Sequence, residues 1–476
     1  MRYTMVCIGS VGDVKPYVLL GKELQKQGND VAVCAFAEFE SYVLKNGLRF
    51  YPLSGDAHAF IRNVMKPGTK GVTYIKQVLD IFREIIDPFL NDLQTACADA
   101  DVIVATYFGN VIQSIAAQRN VPFIKTHYFP MDPNALTPIS SAPGLRAGKA
   151  WNLTSYRLAY LLVSAVEQHY LAGWRREQGM PPRRLESGPC NRIAGHRVPV
   201  LYAMSPLLMP RPADWDSHIH MTGFWLDEGE SDYRPSPELE AFLTAKPAPV
   251  YIGFGSMTGG DMGKTLSIVL EAVRRSGVRA VIASGWGGAE PPESENVFVI
   301  RGYVPHDWLF QHVSAVVHHG GAGTTAAGLC AGRPTLIIPF GGDQPFWALR
   351  VRMQGLGPRP IRREKLTPAK LARALTNLTT VQSYRTAAEA LGLRLRRENG
   401  IQTAADIIQR EVVRWLEEEA APPRAGTAGE ACQQAAASAP ALAGDSQGEA
   451  PAAGAESLKA ARQTRNRKAI RKGKWI

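Results

Sequence analysis

The sequence is poor in cysteine, and Cys7, Cys34, Cys97, Cys190, Cys330 and Cys432 show no C-x-x-C spacing. That scatter indicates neither a disulfide framework nor a zinc site, and it points to a reducing compartment. Long apolar runs are missing too. The longest, LAYLLVSAV from Leu158, falls short of the roughly 20 residues that cross a bilayer. The chain opens into the strand-like YTMVCIG with no charged segment and apolar stretch of a signal peptide before it. A soluble cytoplasmic protein is the expectation, and peripheral contact with a membrane surface is compatible with it. Acids are absent after Glu456, where Lys459, Arg462, Arg465, Arg467, Lys468, Arg471, Lys472 and Lys474 follow. Much of the net charge of +11 therefore sits in the tail, and no nucleic-acid partner is expected of the folded body.

What is present is a globular composition, 476 residues of which 45% are hydrophobic, with room for two or three domains. Strand-length apolar runs alternate with helix-period segments: YTMVCIG, a helix stopped by Gly28, DVAVCAF, then DVIVATY and VPFIKTH. This is the βαβ pattern of a parallel sheet. A second series begins at VYIGFGS and continues through AVIAS, NVFVIRGYV, AVVHH and TLIIPF. The fold class predicted is α/β, two doubly wound Rossmann-like parallel-sheet domains with a ligand cleft between them. Residues 1–225 form the first domain, the polar, proline-rich 226–248 a linker, and 249–400 the second domain. An amphipathic helix follows over 401–418, with Ile401, Ala405, Ile408, Val412 and Leu416 on its stripe. Residues 419–476, rich in Ala, Gly and Pro, have too few large apolar side chains to order themselves. The aromatics Trp151, Tyr156, Tyr160, Tyr170 and Trp174 read as packing residues, with an apolar acceptor pocket as the alternative.

Chemistry concentrates in AVVHHGGAGTTAAGLCAG, a strand, a tight turn and a helix closed by Gly332. Backbone N–H groups and the dipole of the helix start suit the turn over Gly321, Ala322 and Gly323 to a phosphate, with Thr324 and His319 as further donors. After the next strand, Asp343 and Gln344 reach the same carboxyl edge, where a carboxylate beside an amide can bind adjacent sugar hydroxyls. A polar cap on the following helix is their simpler role. The spacing of Gly321, Gly323 and Ala326 also satisfies a loose dinucleotide fingerprint, so a nicotinamide-dependent oxidoreductase is an alternative.

The run VPHDWLFQHVSAVVHHGGAGTTAAGLCAGRPTLIIPFGGDQPFWALRV resembles the donor-binding signature of GT-B nucleotide-sugar glycosyltransferases, in the sterol glucosyltransferase and glycopeptide or macrolide glycosyltransferase branch. The opening IGSVGDVKPYVLLGKELQKQGNDVAV resembles the start of the same branch, usually G-S-x-G-D-V-x-P. The resemblance covers roughly residues 1 to 415. It implies an acceptor held by the first domain, a nucleotide sugar held mainly by the second, and the helix near 401–418 crossing back. His319, Gly323 and Thr324 would hold the diphosphate. Tyr303, Val304 and His306 would border the base, with Tyr303 or Trp308 as the stacking aromatic. Asp343 and Gln344 would grip the sugar. Ser10 would remain available as a hydrogen-bond donor and Ser256 as a nucleotide contact.

Glycosyl transfer needs a base beside the acceptor hydroxyl, and Asp13 at the tip of the first strand fits it. The same aspartate can cap the helix that follows. The branch commonly has arginine where Val11 stands, so any phosphate contact of that arginine is absent or supplied elsewhere. Two D-x-D strings, Asp99 to Asp101 and Asp214 to Asp216, stand in structural or solvated contexts, and no metal site and no cofactor beyond the nucleotide-sugar co-substrate is expected. The expected activity is inverting, metal-independent transfer of a hexosyl group, glucose from UDP-glucose, to a hydroxyl of a sterol or similar lipophilic acceptor. The alternatives are a polyketide, macrolide or glycopeptide acceptor with a TDP- or UDP-sugar, the oxidoreductase above, and a nucleotide-sugar binding protein without activity.

Overall fold

The computed structural model describes residues 1–55, 86–106, 109–139, 148–227, 233–255, 262–283, 292 and 294–420. Ser256, the tail beyond Ala420 and most of the helix-period segment TYIKQVLDIFREIIDPFLNDL from Thr73 lie outside the described residues. The strands are β1 (Arg2–Val6), β2 (Asp30–Phe36), β3 (Arg49–Leu53), β4 (Val102–Ala105) and β5 (Phe123–His127). A hairpin of β6 (Arg192–Ile193) and β7 (His196–Arg197) precedes β8 (Val200–Tyr202) and β9 (Ile219–Met221). The second series is β10 (Val250–Gly253), β11 (Ala280–Ala283), β12 (Val297–Ile300), β13 (Ala315–His318) and β14 (Thr335–Ile337).

These runs are apolar throughout because both faces of a parallel sheet are covered by helices. Val31 to Phe36 of β2 and Val102 to Ala105 of β4 are fully buried. The first sheet has the order β3-β2-β1-β4-β5-β8-β9 and the second β12-β11-β10-β13-β14, every pairing parallel. In each, the first strand of the series stands centrally and the chain crosses to both sides of it. The switch point of the first sheet falls between β1 and β4, and that of the second between β10 and β13. A crevice opens at such points beyond the carboxyl ends of the strands. Asp13 follows β1 and His319 follows β13, so topology carries both to a crevice.

Two segments differ from the sequence reading. Within 226–248, the helix Pro237–Thr244 is capped by the Ser236 hydroxyl and starts on proline. Its Leu239 and Leu243 are buried in one cluster with Tyr251, Val281 and Val316 of the second sheet. The surrounding acids and prolines hid a two-leucine stripe. The last helix, Gly400–Ala420, buries Ala404, Ala405, Ile408 and Val412 in the core of the first sheet. The stripe then passes to Trp415, 4% exposed, and Leu416 is 46% exposed. Two successive steps of four, from Ile408 to Val412 to Leu416, drift off a helix of 3.6 residues per turn, which is why Leu416 falls outside the buried face.

Candidate functional site

At the start of the helix Val11–Lys26, Ser10 and Asp13 form a reciprocal cap. The Ser10 N–H donates to Asp13 Oδ2 at 2.8 Å, the Ser10 hydroxyl donates to the same oxygen at 3.1 Å, and Gly12 N–H donates to Ser10 Oγ at 3.2 Å. Ser10, expected as a free donor, is therefore committed to holding Asp13. Gly9 makes this possible: a Cβ there would stand 2.2 Å from Asp13 Oδ2. Tyr128 donates its hydroxyl to the Asp13 carbonyl at 2.9 Å, fixing the turn from the β5 side. One oxygen of Asp13 is bound and the carboxyl group faces a deep cleft. Desolvation there pushes it up to about 6, opposed by the two bonds from Ser10.

In the second half, the helix Ala322–Cys330 starts at Gly321 with no side-chain cap, so its first N–H groups open toward the cleft. Gly321 has to be glycine, since a Cβ would lie 2.6 Å from His319 Nε2. The tandem histidines divide their roles. His318 is fully buried and its Nδ1 accepts from the Gly320 N–H at 3.0 Å, which shapes the turn. His319 lines the cleft, its Nδ1 buried with no hydrogen-bond partner among the described residues. Burial, aided by His306, lowers its imidazole to about 4, so it meets a ligand as a neutral group.

Asp343 stands at the start of the helix Gln344–Met353 and accepts from Trp347 Nε1 at 2.8 Å through Oδ2. Desolvation first, and to a smaller extent the charge of Asp13, raise it to about 7 against the Trp347 bond. Gln344 is 4% exposed, and its Oε1 accepts from the N–H groups of Phe340 and Gly341 at 2.7 and 3.1 Å. Its carbonyl thus holds the loop that presents Asp343. His306 contacts the Tyr251 hydroxyl at 3.2 Å and stacks on Phe310 with centroids 4.7 Å apart. Trp308 packs against Tyr233 and His312, whereas Tyr303 is 73% exposed. Of the two aromatics considered for stacking, Tyr303 presents the uncovered ring.

A single cavity of about 2440 Å³ joins these groups. It is lined by Ser10 and Asp13 from the first sheet and by Tyr303, Val304, His306, Trp308, His319, Gly321, Ala322, Gly323, Thr324, Asp343 and Gln344 from the second. Beyond Asp13 it continues as an apolar lobe between Phe39, Tyr42, Phe89, Leu90, Val111 and Phe129 and the helix Gly148–Glu177, which adds Ala159, Tyr160, Leu162, Val163, Val166 and Tyr170. Tyr160 and Tyr170 of the aromatic region belong to this lobe, while Tyr156 is fully buried and Trp174 nearly so. Lys15, Thr106, His127 and Lys125 also line the cavity, and the sequence reading had not singled them out. Thr106 and His127 stand at the carboxyl ends of β4 and β5, Lys125 lies within β5 and Lys15 on the helix after β1, and no motif marks them. The D-x-D acids stand away from it. Asp101 pairs with Arg2 at 3.0 Å, Asp99 with Arg2 at 3.6 Å and Asp216 with Arg197 at 3.3 Å, while Asp214 accepts from the Ala135 N–H at 2.8 Å.

Two facing Rossmann-like sheets with a cleft built from both define the GT-B class of glycosyltransferases. Residues 3–136 match the glycosyltransferase family 28 N-terminal domain, and residues 292–418 match the erythromycin biosynthesis protein CIII-like C-terminal domain. The chain is 33% identical over 432 residues to a sterol 3-beta-glucosyltransferase of Neurospora crassa, covering 87% of this chain and 27% of that protein. It is 35% identical over 431 residues to one of Pichia angusta, covering 86% of this chain and 33% of that protein. The chain thus spans a third or less of the length of these relatives. Among solved structures it resembles the glycotransferase of kitacinnamycin, with a TM-score of 0.63 at 20% identity over 86% of this chain and 98% of that one. The calicheamicin glycosyltransferase gives 0.61 at 18% identity over 87% and 99%. The chain belongs to the GT-B-fold glycosyltransferases. The dinucleotide spacing at Gly321 is the shared need of any backbone that must approach a phosphate.

Proposed function

We propose that the protein transfers a hexosyl group, glucose from UDP-glucose, to a hydroxyl of a lipophilic acceptor of the sterol kind, with inversion and without a metal. The observation that carries this reading is the placement of Asp13, with one oxygen pinned by Ser10, in the same cavity as the uncapped helix start at Ala322 and the Asp343 carboxylate. Asp13 takes the proton of the acceptor hydroxyl, whose oxygen bonds to the anomeric carbon from the face opposite the diphosphate. The bond from that carbon to the diphosphate oxygen breaks, and UDP leaves with the electron pair. The N–H groups of the first turn at Ala322, Gly323 and Thr324, with the neutral His319, meet its charge. Asp343 accepts hydrogen bonds from the sugar, and Gln344 supports it while its carbonyl holds the loop.

The apolar lobe beside Asp13 supports a lipophilic acceptor. A second reading, a macrolide or other polyketide acceptor with a TDP-sugar, is favoured by the match of residues 292–418, and a structural neighbour at 17% identity is a glycosyltransferase complexed with thymidine diphosphate. The protein would work in the cytoplasm and touch a membrane surface. For that contact we point to the outer face of the helix Gly148–Glu177. Leu158, Leu161 and Leu162 are 54%, 39% and 47% exposed there, at the lip of the apolar lobe and between the exposed Arg157 and Arg176. Incubation with UDP-glucose or TDP-glucose against sterol and macrolide panels, following nucleotide release together with glycoside formation, tests the reading. Release with no glycoside from any acceptor, or no release at all, would overturn it.

A further inference from the structure

The donor half of the cleft is short of positive charge. His319 and His306 are both held neutral by burial, and the helix start at Ala322 supplies partial charge only. A nucleoside diphosphate brings two phosphates, and Val11, beside Ser10 at the cavity, brings no charge to them. Val11 is 57% exposed at the edge of the cavity.

Lys15 stands one turn further along the same helix, and i and i+4 share a face. Side chains on a helix lean toward its N-terminus, so a lysine at 15 covers the surface above position 11. It lines the cavity and makes no hydrogen bond or ion pair among the described residues. Its charge reaches the second domain, where it adds to the lowering of His306. The other cations lining the cavity are placed otherwise. Lys125 Nζ donates to the Cys190 carbonyl at 2.6 Å, Arg396 donates to the Cys330 carbonyl, and Lys45 ends the short helix after β2.

We infer that Lys15 reaches across the cleft to the diphosphate of the nucleotide sugar and supplies the charge that Val11 does not. This rests on the nucleotide-sugar reading above. Lys15 binds a non-bridging phosphate oxygen in the donor complex and keeps that contact as UDP departs, so it acts on donor affinity and on the leaving group together. The first domain then closes on the donor through Lys15 as well as on the acceptor through Asp13.

The test compares UDP and uridine binding to the wild-type protein, Lys15→Gln, Lys15→Arg and the double variant Val11→Arg/Lys15→Gln, each by calorimetry. The expected result is a loss of about tenfold in UDP affinity for Lys15→Gln, with uridine affinity unmoved. Lys15→Arg and the double variant recover most of it. A merely structural role for Lys15 would move uridine and UDP alike. UDP affinity unchanged in Lys15→Gln overturns the inference while leaving the donor reading intact, as does a loss shared equally by uridine. Failure of the wild-type protein to bind UDP overturns both.

Discussion

Asp13 and Asp343, from different halves of the chain, stand within electrostatic reach across one cleft, and the charge on Asp13 raises the proton affinity of Asp343. The first group follows an inner strand of one sheet and the second stands at the start of a helix of the other half, so their proximity exists only when both halves are in place. On the proposed mechanism the acceptor hydroxyl and the sugar meet between them.

Replacing Asp13 by Asn keeps the size of the side chain and an oxygen for the Ser10 bonds, but removes the base. The turnover number for glucoside formation is expected to fall by about 10²- to 10⁴-fold, with UDP affinity within a factor of about two of wild type. Steady-state kinetics alongside calorimetry check this, and undiminished turnover would remove Asp13 from the role.

The pH profile follows from the two raised carboxyl groups. Asp13 at about 6 and Asp343 at about 7 must be ionised to take a proton and to bind sugar hydroxyls, so kcat/KM should rise through this window and level off above it. Stability should move the other way. Both groups lie above the ordinary 3.8 in the folded state, so their contribution is full below that value and lost as pH rises through about 6 to 7. Urea unfolding at pH 5 and pH 8 in the wild type and in Asp343→Asn shows whether the variant flattens that dependence.

Asp343→Asn retains an oxygen to accept from Trp347 Nε1, so the helix start should survive. The KM for the nucleotide sugar is expected to rise about tenfold while UDP affinity stays near wild type, because the proposed mechanism sets the lost charge against the sugar and not the diphosphate. Equal losses for both ligands would contradict a sugar-binding role.

How much of this could be read beforehand depended on the kind of signal. The strands and the turn at Gly321 were legible because fully buried parallel strands and tight strand-to-helix turns restrict residue choice sharply. Asp13, His319 and Asp343 stood at strand ends, where a doubly wound sheet places ligands. The division of labour between His318 and His319 was not legible, since alternate faces of a strand end in different surroundings. Nor was the commitment of Ser10 to Asp13 and of the Gln344 carbonyl to its own loop, which depends on turn geometry and not on residue type. The helix Pro237–Thr244 was hidden by its polar face, although Ser236 and Pro237 form a readable start.

The last helix packs on the β6–β7 hairpin through Trp415, which stacks on His196 with ring centroids 4.0 Å apart. His196 in turn contacts Glu418 and Glu419, each at 2.7 Å. Trp415→Ala empties a site that is 4% exposed and should cost about 3 kcal/mol of stability in urea unfolding. A change below about 1 kcal/mol would show that the helix contributes little to holding the first domain.

If the outer face of the helix Gly148–Glu177 meets lipid, Leu158→Glu/Leu161→Glu should weaken sedimentation with anionic vesicles several-fold and leave transfer to a detergent-dispersed acceptor near wild type. Vesicle binding unchanged by the double substitution would remove that face from the account.

The central claim is tested most directly by the anomeric configuration of the product, read by proton NMR after incubation of the wild-type protein with UDP-α-glucose and a sterol. A β-glucoside is expected, formed with equimolar UDP and slowed by about 10²- to 10⁴-fold in Asp13→Asn. An α-glucoside, or a β-glucoside formed at the wild-type rate by Asp13→Asn, would contradict it.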